Sequence, residues 1–125
     1  MDRYVLEDVT AELDRSAPEL LAVSLSGRIT IRDAGEVLGR LFQPLLASGR
    51  EERRAIALHF ERLQHFNSAT IAALVRFIRA AQSEGVALTV IYDANQRWQA
   101  ISFDALRRAL RPFEDPAVRF APAGD

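Results

Sequence analysis

Along this chain the spacing of apolar residues switches from two to about 3.6 and back, repeatedly, so strands must be interleaved with helices. Leu21, Val23 and Leu25 alternate with Ala22, Ser24 and Ser26, the pattern of a strand with unlike faces. Residues 4–10 read as an earlier strand, and Asp14, Ser16 and Pro18 between the two suit the turn of a β-hairpin. Asp33 then opens a helix, with Glu36 completing a capping box. Val37, Leu38, Leu41, Phe42, Leu45 and Leu46 follow on one side of it, Pro44 is expected to bend it, and Gly49 to close it as a left-handed cap. Residues 49–54 read as a solvated turn.

Ala55 to Phe60 is short and nearly continuously apolar, as a buried central strand is. Glu61 to Phe66 reads as a connection. A second helix begins near Asn67 or Ser68, with Ile71, Leu74, Val75 and Ile78 as its core stripe and Phe77 and Ala81 along one edge. Gly85 ends it, and Val86 to Tyr92 is the next strand. Asp93 or Asn95 caps a third helix carrying Trp98, Ile101, Ala105, Leu106, Ala109 and Leu110, which Pro112 stops. Val118 to Phe120 reads as a short edge strand, and residues 121–125 as a loose tail. The expectation is an α/β fold: one domain over residues 1–120, an initial hairpin, then βα units on a mostly parallel sheet of roughly four to five strands.

Composition narrows the chemistry. At 125 residues without cysteine, the chain has neither disulfides nor thiolate metal sites nor a cysteine nucleophile. All 16 basic residues are arginine, against 17 acidic ones, so lysine-based chemistry is absent and the formal charge is −1. That balance creates no excess positive field to attract nucleic acid or an anionic membrane. No apolar run approaches the roughly 20 residues of a membrane helix. The acidic start of the sequence has no apolar signal region, so the expected compartment is the cytoplasm.

His59 and His65 lack metal-ligand spacing, and no metal or cofactor is expected. A Ser68–His65 nucleophile pair comes without a nucleophile elbow or orienting acid. Phosphate-binding glycine loops are missing. Arg107, Arg108 and Arg111 adjoin Glu114 and Asp115, the mark of a solvated helix face. Trp98 and Phe103 read as core, or else as an exposed docking patch. What remains is Asn67-Ser68-Ala69-Thr70, which sets hydroxyls at a helix N-terminus where amides are unpaired. Simple capping by Asn67 or Ser68 accounts for it; so does a phosphate on Ser68, which such a helix end tolerates.

Two segments resemble the STAS domain of bacterial anti-sigma factor antagonists. Leu25-Ser26-Gly27-Arg28-Ile29-Thr30, with Ala34 following, is similar to the family's L-x-G-x-[LI]-[DT] segment. His65-Phe66-Asn67-Ser68-Ala69-Thr70-Ile71 stands in the place of its F-x-D-S-[ST]-G-L signature. The turn and strand after Gly85 also fit the family layout. The resemblance implies a phosphorylation-switched binding protein without catalysis of its own, Ser68 accepting phosphate from a partner serine kinase that doubles as an anti-sigma factor. A PP2C-type phosphatase would reverse it, and the unphosphorylated form would bind the kinase. Implied partner contacts are Arg28, Thr30, Asn67, Ala69, Thr70 and Arg76, and a homodimer stays open.

Three residues depart from the signature: Asn67 replaces the acid, Ala69 the second hydroxyl and Thr70 the glycine. The F-N-S form is similar to a divergent SiaC-like subgroup, in which the partner is a diguanylate cyclase. A STAS scaffold subunit of a larger complex, needing no phosphate, is the alternative.

Overall fold

The structure is a computed structural model and describes residues 2–6, 8–113 and 115–123. Strands β1 (Asp2–Leu6), β2 (Val9–Asp14) and β3 (Leu20–Ile29) form an antiparallel meander. Helix α1 (Ala34–Glu52), strand β4 (Ala55–Phe66), helix α2 (Ser68–Glu84), strand β5 (Leu88–Tyr92), helix α3 (Arg97–Ala109) and strand β6 (Val118–Pro122) follow, with a single 3₁₀ turn at Arg111–Phe113. The described residues make one six-stranded mixed sheet in sequence order, parallel from β3 to β6. The α/β class holds, with more strands than expected.

Sequential parallel strands joined by right-handed crossovers put every helix on the same side. Burial agrees: Leu21, Val23 and Leu25 on β3, Ile56 and Leu58 on β4, and Leu88 and Val90 on β5 share one core with all three helices. Between α1 and α2, Phe42 stacks on Phe77 at 4.6 Å. Phe103 on α3 meets Phe60 at 5.2 Å, Phe66 at 5.6 Å and Tyr92 at 5.2 Å. Phe103 is therefore core, and Trp98 packs edge-on against Phe66 instead of forming a free patch.

Several local expectations are corrected. Residues 4–10 are not one strand: Asp8 lies in a turn, and β1 and β2 run antiparallel on either side of it. The expected turn near Ser16 does join β2 to β3. There Asp14 Oδ1 accepts the Ser16 amide at 2.8 Å, which holds this carboxyl below its ordinary value. Asp33 is the N-cap of α1, but its side chain makes no capping bond; its carbonyl takes the amides of Glu36 and Val37.

Gly49 lies inside α1, where a Cβ would come within 3.1 Å of Ile56 and 3.2 Å of Val86. The left-handed cap falls instead on Arg53, at φ 56°. Gly85 does cap α2, and Gln96, not Asp93 or Asn95, caps α3. The buried face of α3 is Gln99, Phe103, Leu106 and Leu110, while Ile101 is 56% exposed. β6 takes in Ala121 and Pro122, and the Ala123 amide reaches Tyr92 O at 2.7 Å, so the chain is held to residue 123. Residues 124 and 125 of the expected tail lie outside the described residues.

The largest correction is β4, which runs through the segment expected as a connection. It spends 12 residues where β3 spends 10, with register shifts at Ser24/Ser26 and Gly27/Arg28. These shifts bring Phe60, Leu63 and Phe66 all inward, at a spacing of three instead of two. Gly27 sits at φ +96°, and a Cβ there would lie 2.1 Å from the Asp8 carbonyl oxygen. Here glycine is required by conformation and by space together.

β5 pairs with β4 only from Ile56 to His59, so the later half of β4 needs other partners for its carbonyls. Gln96 Nε2 donates to Glu61 O at 3.3 Å, and Gln99 supplies the partners of Phe60 and Leu63. Fully buried, it donates from Nε2 to Phe60 O at 2.8 Å and Leu63 O at 3.0 Å, and its Oε1 accepts the Asp93 amide at 2.7 Å. Gln99→Leu keeps the volume and strands these groups. It is expected to lower stability by about 3 kcal/mol, read from urea denaturation, because buried unpaired backbone groups carry their full desolvation cost. A midpoint within error of the wild type would show that the carbonyls find other partners.

Candidate functional site

The extended β4 delivers its last residues beside the end of β3, with Arg28 opposite His65 and Ile29 opposite Phe66. The β3–α1 and β4–α2 loops therefore meet at the carboxyl ends of the parallel strands. Asn67 locks them together. Its Nδ2 donates to Ile31 O at 2.8 Å, while its Oδ1 accepts the Thr70 amide at 3.1 Å and the Thr70 hydroxyl at 3.0 Å. One amide thus caps α2, takes up the Thr70 hydroxyl and ties in the neighbouring loop.

This geometry separates the three polar residues of the motif. Thr70 is fully buried and its hydroxyl is committed to Asn67, so it supports the cap and presents nothing to a partner. Ser68 occupies the first helical position and is exposed. Among the described residues nothing hydrogen-bonds its Oγ. The amides of Ser68 and Ala69 have no intrahelical acceptor, and the dipole of α2 is positive there.

Arg28 and Thr30 are exposed at the end of β3 and just beyond it, flanking the register partner of Phe66. Ala69 is half-buried in the first turn. Arg76 lies apart, two turns along α2; its guanidinium passes over Gly35 of α1, where a Cβ would come within 2.7 Å of Nη2. It belongs to the groove between α1 and α2, lined also by Gly39, Phe42, Ala73 and Phe77. Sequence reasoning missed the roles of the Ile31 carbonyl and Gly35, since a backbone acceptor and a missing side chain leave no chemical signature.

The histidines do not join this site. The His65 ring lies 6.4 Å from Trp98, against α3, and is not bonded to Ser68. His59 pairs through Nδ1 with Glu61 at 3.1 Å on the sheet face away from the helices. Among the described residues no group of three His, Cys, Asp or Glu side chains clusters as a metal site, and no helix is long and apolar enough to cross a membrane. Because strand order follows sequence order throughout, the parallel strands have no reversal at which a ligand crevice opens. Comparison of the chain with protein-family models and with curated proteins finds no match.

The bonding of Asn67 also gives a physical reason for an amide where the resembling signature has an acid. A carboxylate keeps the acceptor for Thr70 but has no proton for Ile31 O, and it sets two oxygens against each other. Asn67→Asp is expected to cost about 1–2 kcal/mol at neutral pH through the lost bond, and Asn67→Ala about 2 kcal/mol through loss of the cap as well. Both are read as shifts in the urea midpoint. An Asp variant as stable as the wild type would show that the Ile31 tether carries no weight.

Proposed function

We propose that this chain is a phosphorylation-switched protein-binding module, similar in working to anti-sigma factor antagonists, with Ser68 as the phosphoacceptor and no catalysis of its own. The observation that carries the reading is the contrast within one helical turn. Asn67 and Thr70 are bonded to each other, whereas the Ser68 hydroxyl is exposed and unbonded. A kinase reaches Ser68 without opening the helix; reaching Thr70 requires melting its first turn.

Phosphate at this position adds a charge of about −1.5 to −2. The free amides of the first turn and the helix dipole stabilise it within the chain, so it needs no arginine from a partner. The partner then meets a new anion on the surface formed by Arg28, Thr30, Asn67, Ala69 and the exposed side of α2 as far as Arg76. Release on phosphorylation follows. The partner classes are a cognate serine kinase of the anti-sigma type, a PP2C-type phosphatase and, by the F-N-S form, a diguanylate cyclase.

Peptide mass spectrometry of the protein purified from its native cells tests this directly. Phosphate confined to Ser68 and absent from Ser68→Ala is the expected result. Ser68→Glu is expected to bind the cognate kinase at least about tenfold more weakly than Ser68→Ala, by charge repulsion at the docking face. An unmodified Ser68 across growth and stress conditions would replace the switch with a constitutive STAS-like scaffold subunit. Phosphate on Thr70 would keep the switch and refute the residue.

A further inference from the structure

A cleft of about 690 Å³ lies between the last turns of α2 and α3 and strand β6. Small-molecule sites take roughly 300–1,000 Å³. The clefts beside Tyr4, of about 140 Å³, and between α1 and α2, of about 230 Å³, fall short of that range. Ile78, Leu110 and Val118 line the larger cleft with apolar side chains, and Phe113 and Phe120 add two aromatic rings. Each ring carries a guanidinium: Arg79 lies 3.8 Å from the centroid of Phe113, and Arg107 5.9 Å from that of Phe120. Neither arginine is in an ion pair among the described residues. Arg119 borders the cleft too, and Asp115, the described acid that lines it, has one oxygen committed to the Ala117 amide at 2.9 Å. Phe113 stays 42% exposed under Arg79, yet its backbone is held from both sides. Its amide donates to Leu110 O at 2.8 Å, and its carbonyl accepts Gln82 Nε2 at 2.7 Å. A large apolar side chain is thus fixed in the open beside unpaired cations.

We infer that this cleft binds a small aromatic anion, a planar ring system bearing a carboxylate, sulfonate or phosphate. The rings fill the space between Phe113 and Phe120 and take the exposed part of Phe113 out of water, where aromatic pairs gain beyond the area they bury. The acid group meets the Arg107 guanidinium, whose planar fork matches two oxygens of an anion. Charge and shape together choose this occupant. A neutral ring leaves the cations unanswered, and a bare inorganic anion leaves both aromatic side chains wet. A peptide strand is disfavoured, because β6, the edge on which it would pair, is preceded by Pro116 and ended by Pro122. Gln82 lies about 20 Å along α2 from Ser68, at a rise of about 1.5 Å per residue, so the inference is independent of the phosphorylation reading.

Fluorescence titration of the full chain with anilinonaphthalene sulfonate, an aromatic monoanion whose emission rises out of water, tests the inference. Saturable binding of one probe per chain in the micromolar range is expected. Arg107→Gln is expected to weaken it about tenfold or more, and to leave unchanged the binding of phenylnaphthylamine, which has the same rings without the sulfonate. Phe113→Ala is expected to weaken both probes about fivefold or more. Arg108→Gln removes the same charge from the neighbouring position, where the arginine pairs with Asp104, and is expected to change neither. Arg107 and Phe113 are exposed, so both variants should unfold in urea close to the wild type. Absence of saturable binding up to millimolar probe overturns the inference, and so does a sulfonate affinity indifferent to Arg107→Gln. Binding lost in Arg40→Gln instead assigns the probe to the cleft beside Tyr4 and overturns it as well.

Discussion

The later half of β4 depends on two side chains that are not part of the sheet, Gln99 for the carbonyls of Phe60 and Leu63 and Gln96 for that of Glu61. Past His59 the strand has left β5 behind, and its inward carbonyls at Phe60 and Leu63 would be buried without partners. Gln99 fills that gap from α3, and through Asp93 also fixes where the chain leaves β5. Without it the strand would have reason to end near His59, and residues 60–66 would be the loop that their composition suggests. With it, β4 continues to Phe66 and sets Asn67 beside Ile31. The position of the candidate site thus rests on the pairing of β4 with β3 on one side and on a buried glutamine from a helix far along the sequence on the other.

At the site itself the same economy recurs in Asn67, whose two amide atoms serve three bonds. Because the amide both donates and accepts, it joins two loops that neither an acid nor a hydroxyl would join in the same way. Taking the Thr70 hydroxyl out of play leaves Ser68 as the exposed hydroxyl of the turn. The departures from the resembling signature at positions 67 and 70 are therefore not independent. A buried threonine hydroxyl requires an acceptor, and the acceptor that also ties in Ile31 must carry protons.

The alternation of strands and helices, the start of α2 and its cap at Gly85 were legible because they are local: apolar period, capping residue and left-handed glycine lie within a few residues of one another. What was not legible involves distant partners. Phe60, Leu63 and Phe66 have the spacing of a helix, and only the register against β3 reveals them as one face of a bulged strand. Gln99 reads as surface on polarity alone, which turned the expected face of α3 toward Ile101. Gly49 reads as a terminator, whereas its role is close approach to Ile56 and Val86. At the site, Ser68 stood out from its position in the motif. That Thr70 is buried and that Arg76 crosses to α1 depend on neighbours from other parts of the chain.

Laying the strands down in order leaves one face of the sheet without helices, and the side chains there show how it tolerates water. Thr10 stands beside Ser26 and Glu12 beside Ser24. Ala22 neighbours Ala57, and His59 and Glu61 pair along β4. Most of these residues are small, hydroxylic or charged, so that stretch of the face loses little by staying wet, although Val5, 67% exposed beside Thr10, is apolar. The helix face is filled by the core. Above the carboxyl edge of the strands, by contrast, the helix ends stand clear of the core and leave Ser68 exposed.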